Sequence, residues 1–389
     1  EGVGNALPVA SCLRRRTPCG KRHHMPRALR LERELEVHGT VDAIALRVSF
    51  TFARSAQGLL VLLLSVASGC DDTTLVSPPN EFTILPAEYE PVGEVLVAWA
   101  TDPLLETFFA ELVSLASEGA SVTVLLSRDQ SAEWVLRVAT EFGADPSKLR
   151  ILEADVDSVW VRDYGPLVVR TGETRHVVDM RYFGQPGDDL APKFMAEEWR
   201  LPVVELPLVM EGGNLLADGA GLCLTTERLF QDNADRLSIG AIRDALQRKL
   251  GCTELIMLTP LVGEPTGHVD MFATLTAPGE AIVGEIFKHD SENARLLDEN
   301  AARLERAGLK VRRIPMPSHA DGLFRSYTNA LAINDIVVVP VYPEDTEFEE
   351  FALRVFAEAY RDRTVVPIDA SEIIGKFGAV HCVGMTVAK

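Results

Sequence analysis

The chain has 389 residues, with 38 Lys and Arg against 57 Asp and Glu, a net charge of −19. At 47% hydrophobic and 24% charged residues it is globular in composition, neither disordered nor fibrous. The acidic balance argues against a nucleic-acid partner, whose phosphates need Lys and Arg, and the length allows one large domain or two to three smaller ones.

The charge is unevenly placed. Residues 1–70 hold ten Lys and Arg and five Asp and Glu, a net of +5, so the remaining 319 residues carry 28 against 52, a net of −24. Residues 1–53 contain a basic cluster, Arg14-Arg15-Arg16 through His23-His24, with no apolar period. They read as a disordered extension or as mis-assigned upstream sequence with a true start near Val48, a nucleic-acid or membrane arm being the alternative. Residues 54–70 have the parts of a secretory signal. Arg54 precedes the apolar run 59–64, and Ser68-Gly69-Cys70 supplies small residues at its end. The run is about half of the ~20 residues a spanning helix needs. Val66-Ala67-Ser68-Gly69-Cys70 resembles a bacterial lipobox, with Ala67 where Leu is usual. This implies a lipid anchor at Cys70, the only membrane contact expected, and an exported, membrane-anchored protein of a bacterial cell envelope. Polar residues 71–81 read as a linker.

From residue 82 the pattern changes. Strand-like segments at 93–99, 121–126, 167–170, 281–286 and 335–342 are short, β-branched and apolar. Amphipathic helix candidates fall at 103–118, 131–142, 235–250, 291–307 and 345–360. In the fourth of these, Leu296, Leu297, Ala301 and Leu304 make one stripe, and Gly308 stands where a helix end needs positive φ. Alternation of strands and helices means a layered α/β fold. No Pro/Gly/Ser-rich linker interrupts 82–389, which reads as one catalytic domain. No fixed repeat stands out, although strand-rich blocks recur roughly every 50–60 residues.

Four polar islands do not suit core packing: Trp160-Val161-Arg162-Asp163-Tyr164-Gly165-Pro166, Glu211-Gly212-Gly213-Asn214, Gly267-His268-Val269-Asp270-Met271-Phe272, and Gly378-Ala379-Val380-His381-Cys382. Each sets titratable groups beside Gly or Pro, where loops build sites. Singly, each has an ordinary reading: a buried small thiol, a turn Asp, a surface ion pair. Together they supply a thiol, an imidazole and several carboxylates. A Cys–His pair gives covalent catalysis with acid–base help. Carboxylates nearby raise the thiol pKa and suit only a cationic substrate, of which the planar guanidinium matches a carboxylate best.

In this order the islands resemble the guanidino-group-modifying superfamily, and above all its branch of agmatine deiminases and bacterial, Porphyromonas-type peptidylarginine deiminases. The likeness runs over most of 82–389 and includes Thr225-Thr226-Glu227-Arg228-Leu229, Pro315-Met316-Pro317, Ser326-Tyr327-Thr328-Asn329-Ala330-Leu331 and Asn334. It implies a five-bladed pseudo-symmetric α/β propeller, the pentein fold, with the site in a central channel. It further implies Cys382 as nucleophile, His268 as general acid and base, Asp163 and Asp270 as guanidinium-holding carboxylates, and Glu211 as the carboxylate that charges and orients His268. Asn329 is carried over as a residue near the substrate, with Trp160 and Gly213 as shapers of the site. The reaction implied is hydrolysis of a guanidine through a thiouronium, releasing ammonia and a ureido product, with no cofactor and no metal. The partner is a small cationic guanidine, agmatine first, or an arginine peptide. An amidinotransferase and a non-catalytic cation-binding lipoprotein are the alternatives.

Two departures from the pattern, and the placing of His381, bear on this. Phe377-Gly378-Ala379 stands where the family has more Gly, and the methyl of Ala379 is expected to narrow that loop. In the segment Arg181-Tyr182-Phe183-Gly184-Gln185-Pro186-Gly187-Asp188-Asp189 only Arg181 is basic, and it precedes the Tyr, so there is no clear clamp for a substrate carboxylate; Asp188 and Asp189 read as solvated turn residues or as partners of a distal amine. His381, next to Cys382 in a presumed strand, points to the opposite face and is given a structural role. Whether Cys223 and Cys252 pair is left open.

Overall fold

The computed structural model describes residues 82–287, 291–317, 319–343 and 346–389; the extension, signal, linker and Cys70 expectations lie outside these residues. The chain opens with β1 (Thr83–Ile84) and β2 (Val92–Ala98). Val95, Leu96, Val97 and Ala98 of β2 are fully buried, so both faces of this strand are covered. α1 (Glu106–Gly119) leads to β3 (Ser121–Leu126), and α2 (Ala132–Glu141) to β4 (Leu149–Glu153). Ser131 starts α2 by accepting the Trp134 N–H at 3.2 Å.

From here one unit repeats: a short helical turn, an antiparallel pair of strands, a helix, and a third strand parallel to the second. In its first copy α3 (Val161–Tyr164) precedes β5 (Leu167–Thr171) and β6 (Thr174–Arg181), then α4 (Pro186–Trp199) and β7 (Val203–Val209). The next has β8 (Leu216–Ala217), β9 (Leu222–Thr226), α5 (Arg228–Gln231), α6 (Ile239–Leu250) and β10 (Glu254–Leu258). Then follow β11 (Ala273–Ala277), β12 (Glu280–Glu285), α7 (Ser291–Arg306) and β13 (Lys310–Pro315). The last has β14 (Leu331–Ile333), β15 (Ile336–Val341), α8 (Thr346–Ala359) and β16 (Thr364–Asp369). After α9 (Ser371–Ile374), β17 (Met385–Ala388) pairs antiparallel with β2, Met385 facing Leu96. The C-terminal strand thereby completes the sheet begun at β2, in the order β17-β2-β3-β4.

Five sheets result, and the fold is the five-bladed α/β propeller. The segments expected as strands and helices are present with their ends shifted by a few residues. Gly308 ends α7 with φ +93°. The reading of 181–189 as a loop is corrected: residues 186–199 form α4 despite the internal Pro192, and Asp188 is a fully buried member of its first turn.

Candidate active site

Each blade places its polar island just before its first strand. Asp163 ends up in α3, Gly213 and Asn214 in a 3-10 turn before β8, and Asp270 in the turn Val269–Met271 before β11. Asn329 precedes β14, and Cys382 lies in the turn His381–Val383 before β17. The fivefold repeat is what gathers residues some 50–60 positions apart.

Local hydrogen bonds fix the loops. The Asn214 side chain carbonyl accepts from Thr226 N at 3.1 Å and Val269 N at 3.3 Å, tying two blades together. Glu264 holds the approach to His268 by accepting from Gly267 N at 2.6 Å and from Thr266. Asp188 accepts from Asp157 N and Ser158 N at 2.8 and 3.1 Å, and from Ser158 Oγ at 2.7 Å. It therefore anchors the stretch leading to Trp160. Asp189 accepts from Tyr182 N at 2.8 Å. Both aspartates are engaged by the backbone, which corrects the reading of them as solvated turn residues.

The site itself is buried, with Asp163, His268, Asp270 and Cys382 between 1 and 8% exposed. His268 Nε2 donates to Glu211 Oε2 at 2.7 Å, and its Nδ1 faces Asp163 Oδ1 at 3.6 Å. Gly213 N donates to Asp163 Oδ1 at 3.2 Å. Gly213 is where these groups meet: a β-carbon there would stand 2.7 Å from Asp163 Oδ1, 2.7 Å from His268 Nδ1 and 3.0 Å from Asp270 Oδ2. His268 Nδ1 and Asp270 Oδ1 are buried and have no hydrogen-bond partner among the described residues. The thiol is held by Asn329, whose Nδ2 donates to Cys382 Sγ at 3.2 Å while its Oδ1 accepts from His381 N at 3.0 Å and Cys382 N at 3.3 Å. The Trp160 ring lies directly on Gly378, where a β-carbon would be 2.3 Å from Trp160 Cζ3 and 3.1 Å from Cys382 Cβ.

The Cys382 loop departs from the Gly pattern at Phe377 and Ala379. Ala379 is fully buried, in the same apolar core cluster as Val380 and Val383. The left-handed backbone falls on Phe377, at φ +71°, a conformation glycine adopts freely and Phe does not.

Two further groups, the buried His381 and the half-buried Glu88, adjoin the site. The strand argument about His381 is overturned, because His381–Val383 is a 3-10 turn. Its imidazole reaches the site, Nδ1 donating to Asp270 Oδ2 at 2.8 Å and Nε2 to Glu88 Oε2 at 2.6 Å. Glu88 in turn pairs with Arg162 Nη1 at 2.8 Å, and Arg162 Nη2 donates to Gly384 O at 2.9 Å. Arg162 lay within a quoted island; Glu88 carried no local signal.

The charges follow from burial and neighbours. For His268, burial favours the neutral ring, yet Asp163, Glu211 and Asp270 together raise its pKa to about 10, so it is an imidazolium at neutral pH. Asp163 is pushed up by burial, opposed by His268 and reinforced by Glu211 and Asp270. Glu211 is held below its usual range: burial works against this, but the hydrogen bond and charge of His268 prevail. The Cys382 thiol is pushed well up by burial, then by Asp270 and Asp163, against the pull of hydrogen bonds from Ala379 and Asn329. The thiol and the carboxylates thus crowd one buried site, with Asp270 Oδ2 3.7 Å from Cys382 Sγ.

A five-bladed propeller with this buried Cys, His and carboxylate set defines a deiminase of the guanidino-modifying class, a hydrolase acting on C–N bonds. The sequence profile of the Porphyromonas-type peptidyl-arginine deiminase family matches residues 84–387, and the chain belongs to that family. It is 26% identical over 365 residues to the agmatine deiminase of Stutzerimonas stutzeri, covering 80% of this chain and 97% of that protein. To the agmatine deiminase of Pseudomonas aeruginosa it is 27% identical over 355 residues, covering 77% and 94%. Among solved structures, the agmatine deiminase of Enterococcus faecalis superposes with a TM-score of 0.69 at 24% identity over 79% of this chain and 96% of that one. The putative arginine deiminase of Porphyromonas gingivalis superposes with 0.70 at 24% identity, covering 79% and 98%. The Cys223–Cys252 question is also answered, since the two form a disulfide between β9 and the segment entering β10.

Proposed function

We propose that the chain hydrolyses agmatine to ammonia and N-carbamoylputrescine through a covalent intermediate on Cys382. The observation that carries this reading is the space above Gly213. A planar cation stacked there meets Asp163 Oδ1 on one side and Asp270 Oδ2 on the other, with the unpartnered His268 Nδ1 beside it. Two carboxylates around a guanidinium give the paired, charge-assisted hydrogen bonds that fix its plane.

The steps follow from the charges. Burial, then Asp270 and Asp163, hold the thiol pKa up; the bound cation offsets the two charges, and Cys382 gives its proton to solvent and becomes a thiolate. Sulfur attacks the guanidinium carbon and an S–C bond forms. His268 gives a proton to the departing nitrogen, the C–N bond breaks, and ammonia leaves with a thiouronium on Cys382. The neutral His268 then takes a proton from water as the oxygen attacks the same carbon. The C–S bond breaks, the thiolate returns, the hydroxyl proton passes to solvent, and the neutral ureido product departs. Glu211 holds the imidazole in register through its 2.7 Å bond.

Agmatine is preferred over a C-terminal arginine on charge. Asp163, Asp270 and Glu211 surround the site, and the basic residue that bears on Glu211 is Arg228, whose Nε–H is shared between both oxygens of Asp232 at 2.8 Å. Such surroundings suit a second amine better than a second carboxylate. Peptidyl-arginine, after which the family is described, is the competing substrate. A kcat/KM comparison of agmatine, free arginine and arginine peptides tests the choice: agmatine should lead, and a peptide turned over faster would displace it.

We infer likewise that the body is exported and anchored through Cys70. The apolar run 59–64, the Val66–Cys70 pattern and the Cys223–Cys252 disulfide, a bond favoured in oxidising compartments, support this. Mass spectrometry of natively produced protein should find no peptide preceding a lipid-modified Cys70; recovery of peptides from 1–60 would overturn it.

A further inference from the structure

Arg162, Glu88, His381 and Asp270 form a line of alternating charge, buried apart from the half-buried Glu88, that ends at the nucleophile. Arg162 meets Glu88 at 2.8 Å, Glu88 meets His381 Nε2 at 2.6 Å, and His381 Nδ1 meets Asp270 Oδ2 at 2.8 Å. Asp270 Oδ2 stands 3.7 Å from Cys382 Sγ. His381 is 2% exposed, with a carboxylate oxygen at each ring nitrogen, so both nitrogens act as N–H donors and the ring is a cation. The charged groups that face it are Glu88 from the segment between β1 and β2, Asp270 from the turn before β11, and Arg162 from α3.

We propose that His381 is a positioning residue of the deiminase, holding Asp270 through Oδ2 so that the carboxylate keeps its place beside Gly213 and the thiol, and offsetting the Asp270 charge there. The assignment rests on the deiminase reading for its substrate and on geometry for the rest. Burial and Arg162 both oppose a charge on His381, and Glu88 and Asp270 overcome them to raise its pKa. Arg162 contributes indirectly, because it keeps Glu88 ionised. The role differs from that of His268, whose nitrogens point to Glu211 and Asp163. His268 moves protons at the reacting atoms, whereas His381 acts through Asp270.

The test reads the sulfur without any substrate. Alkylation of Cys382 by iodoacetamide is followed on its peptide by mass spectrometry between pH 7 and 10 in wild type, His381→Gln and Glu88→Gln. Below the thiol pKa the rate tracks the thiolate fraction, so a pKa raised by one unit slows alkylation about tenfold at a given pH. His381→Gln should slow it about tenfold and displace the profile to higher pH, with Glu88→Gln displaced the same way by less. The KM for agmatine should rise more than kcat falls in both. Where His381→Gln does not fold, Glu88→Gln decides alone. Folded variants alkylated at the wild-type rate across the range would overturn the proposal. A wild type that fails to turn over agmatine yet shows the displaced profile in the variants would count against the substrate reading and leave this one standing.

Discussion

Gly213 lies against Asp163 so closely that its N–H donates to Oδ1 at 3.2 Å and a β-carbon would stand 2.7 Å from the same oxygen. The same β-carbon would intrude on His268 and Asp270, so an alanine there fills the place of the guanidinium. Gly213→Ala should keep the fold and cut kcat/KM at least about 100-fold, the scale of a misplaced reacting group. Steady-state kinetics beside a melting curve checks this; full activity in the alanine variant would show that the cation binds elsewhere.

Glu211 supplies part of the charge that keeps His268 protonated. Glu211→Gln keeps a hydrogen-bonding side chain and removes that charge, so the imidazolium becomes easier to deprotonate. The basic limb of the kcat profile should move to lower pH, by about one unit or more. A limb that stays in place would separate Glu211 from the proton transfers.

Acid stability should depend on Glu88. Burial opposes its ionisation, but Arg162 and His381 lower its pKa from 4.5 to about 2. A carboxylate lowered on folding contributes stability that is complete above the unfolded value and lost as pH falls through the folded one. Melting temperature should therefore fall as pH drops from 4.5 to 2, and less steeply in Glu88→Gln. Equal slopes in the two proteins would contradict the assignment.

The Cys223–Cys252 bridge closes a separation of 29 residues. Replacing both by Ser should cost about 3–4 kcal/mol in urea unfolding, the chain-entropy scale for such a loop, with little change in KM because neither residue lies at the site. An unchanged denaturation midpoint would show that the bond adds nothing to the folded state.

Legibility in the sequence was uneven, for physical reasons. The islands at Asp163, Glu211, His268, Asp270 and Cys382 could be seen because titratable groups beside Gly are poor core material. The blades could not, because β8 has two residues and β14 three, too few for an alternating pattern, and because closure depends on β17 reaching β2 from the far end of the chain. α4 was hidden by Pro192 and by two aspartates that resemble a turn. The strand rule that gives His381 only a structural role fails in a 3-10 turn, and Glu88 is a single carboxylate in an unremarkable segment until the fold brings Arg162 to it.

The central claim is that the Cys382 sulfur attacks the guanidinium carbon. Acid-quenching the enzyme during turnover of agmatine and recording the mass of the Cys382 peptide tests it directly. The account predicts a species heavier by agmatine less ammonia, located on Cys382 and absent from Cys382→Ala. Ureido product formed at full rate by Cys382→Ala, or turnover with the modification on another residue, would contradict it.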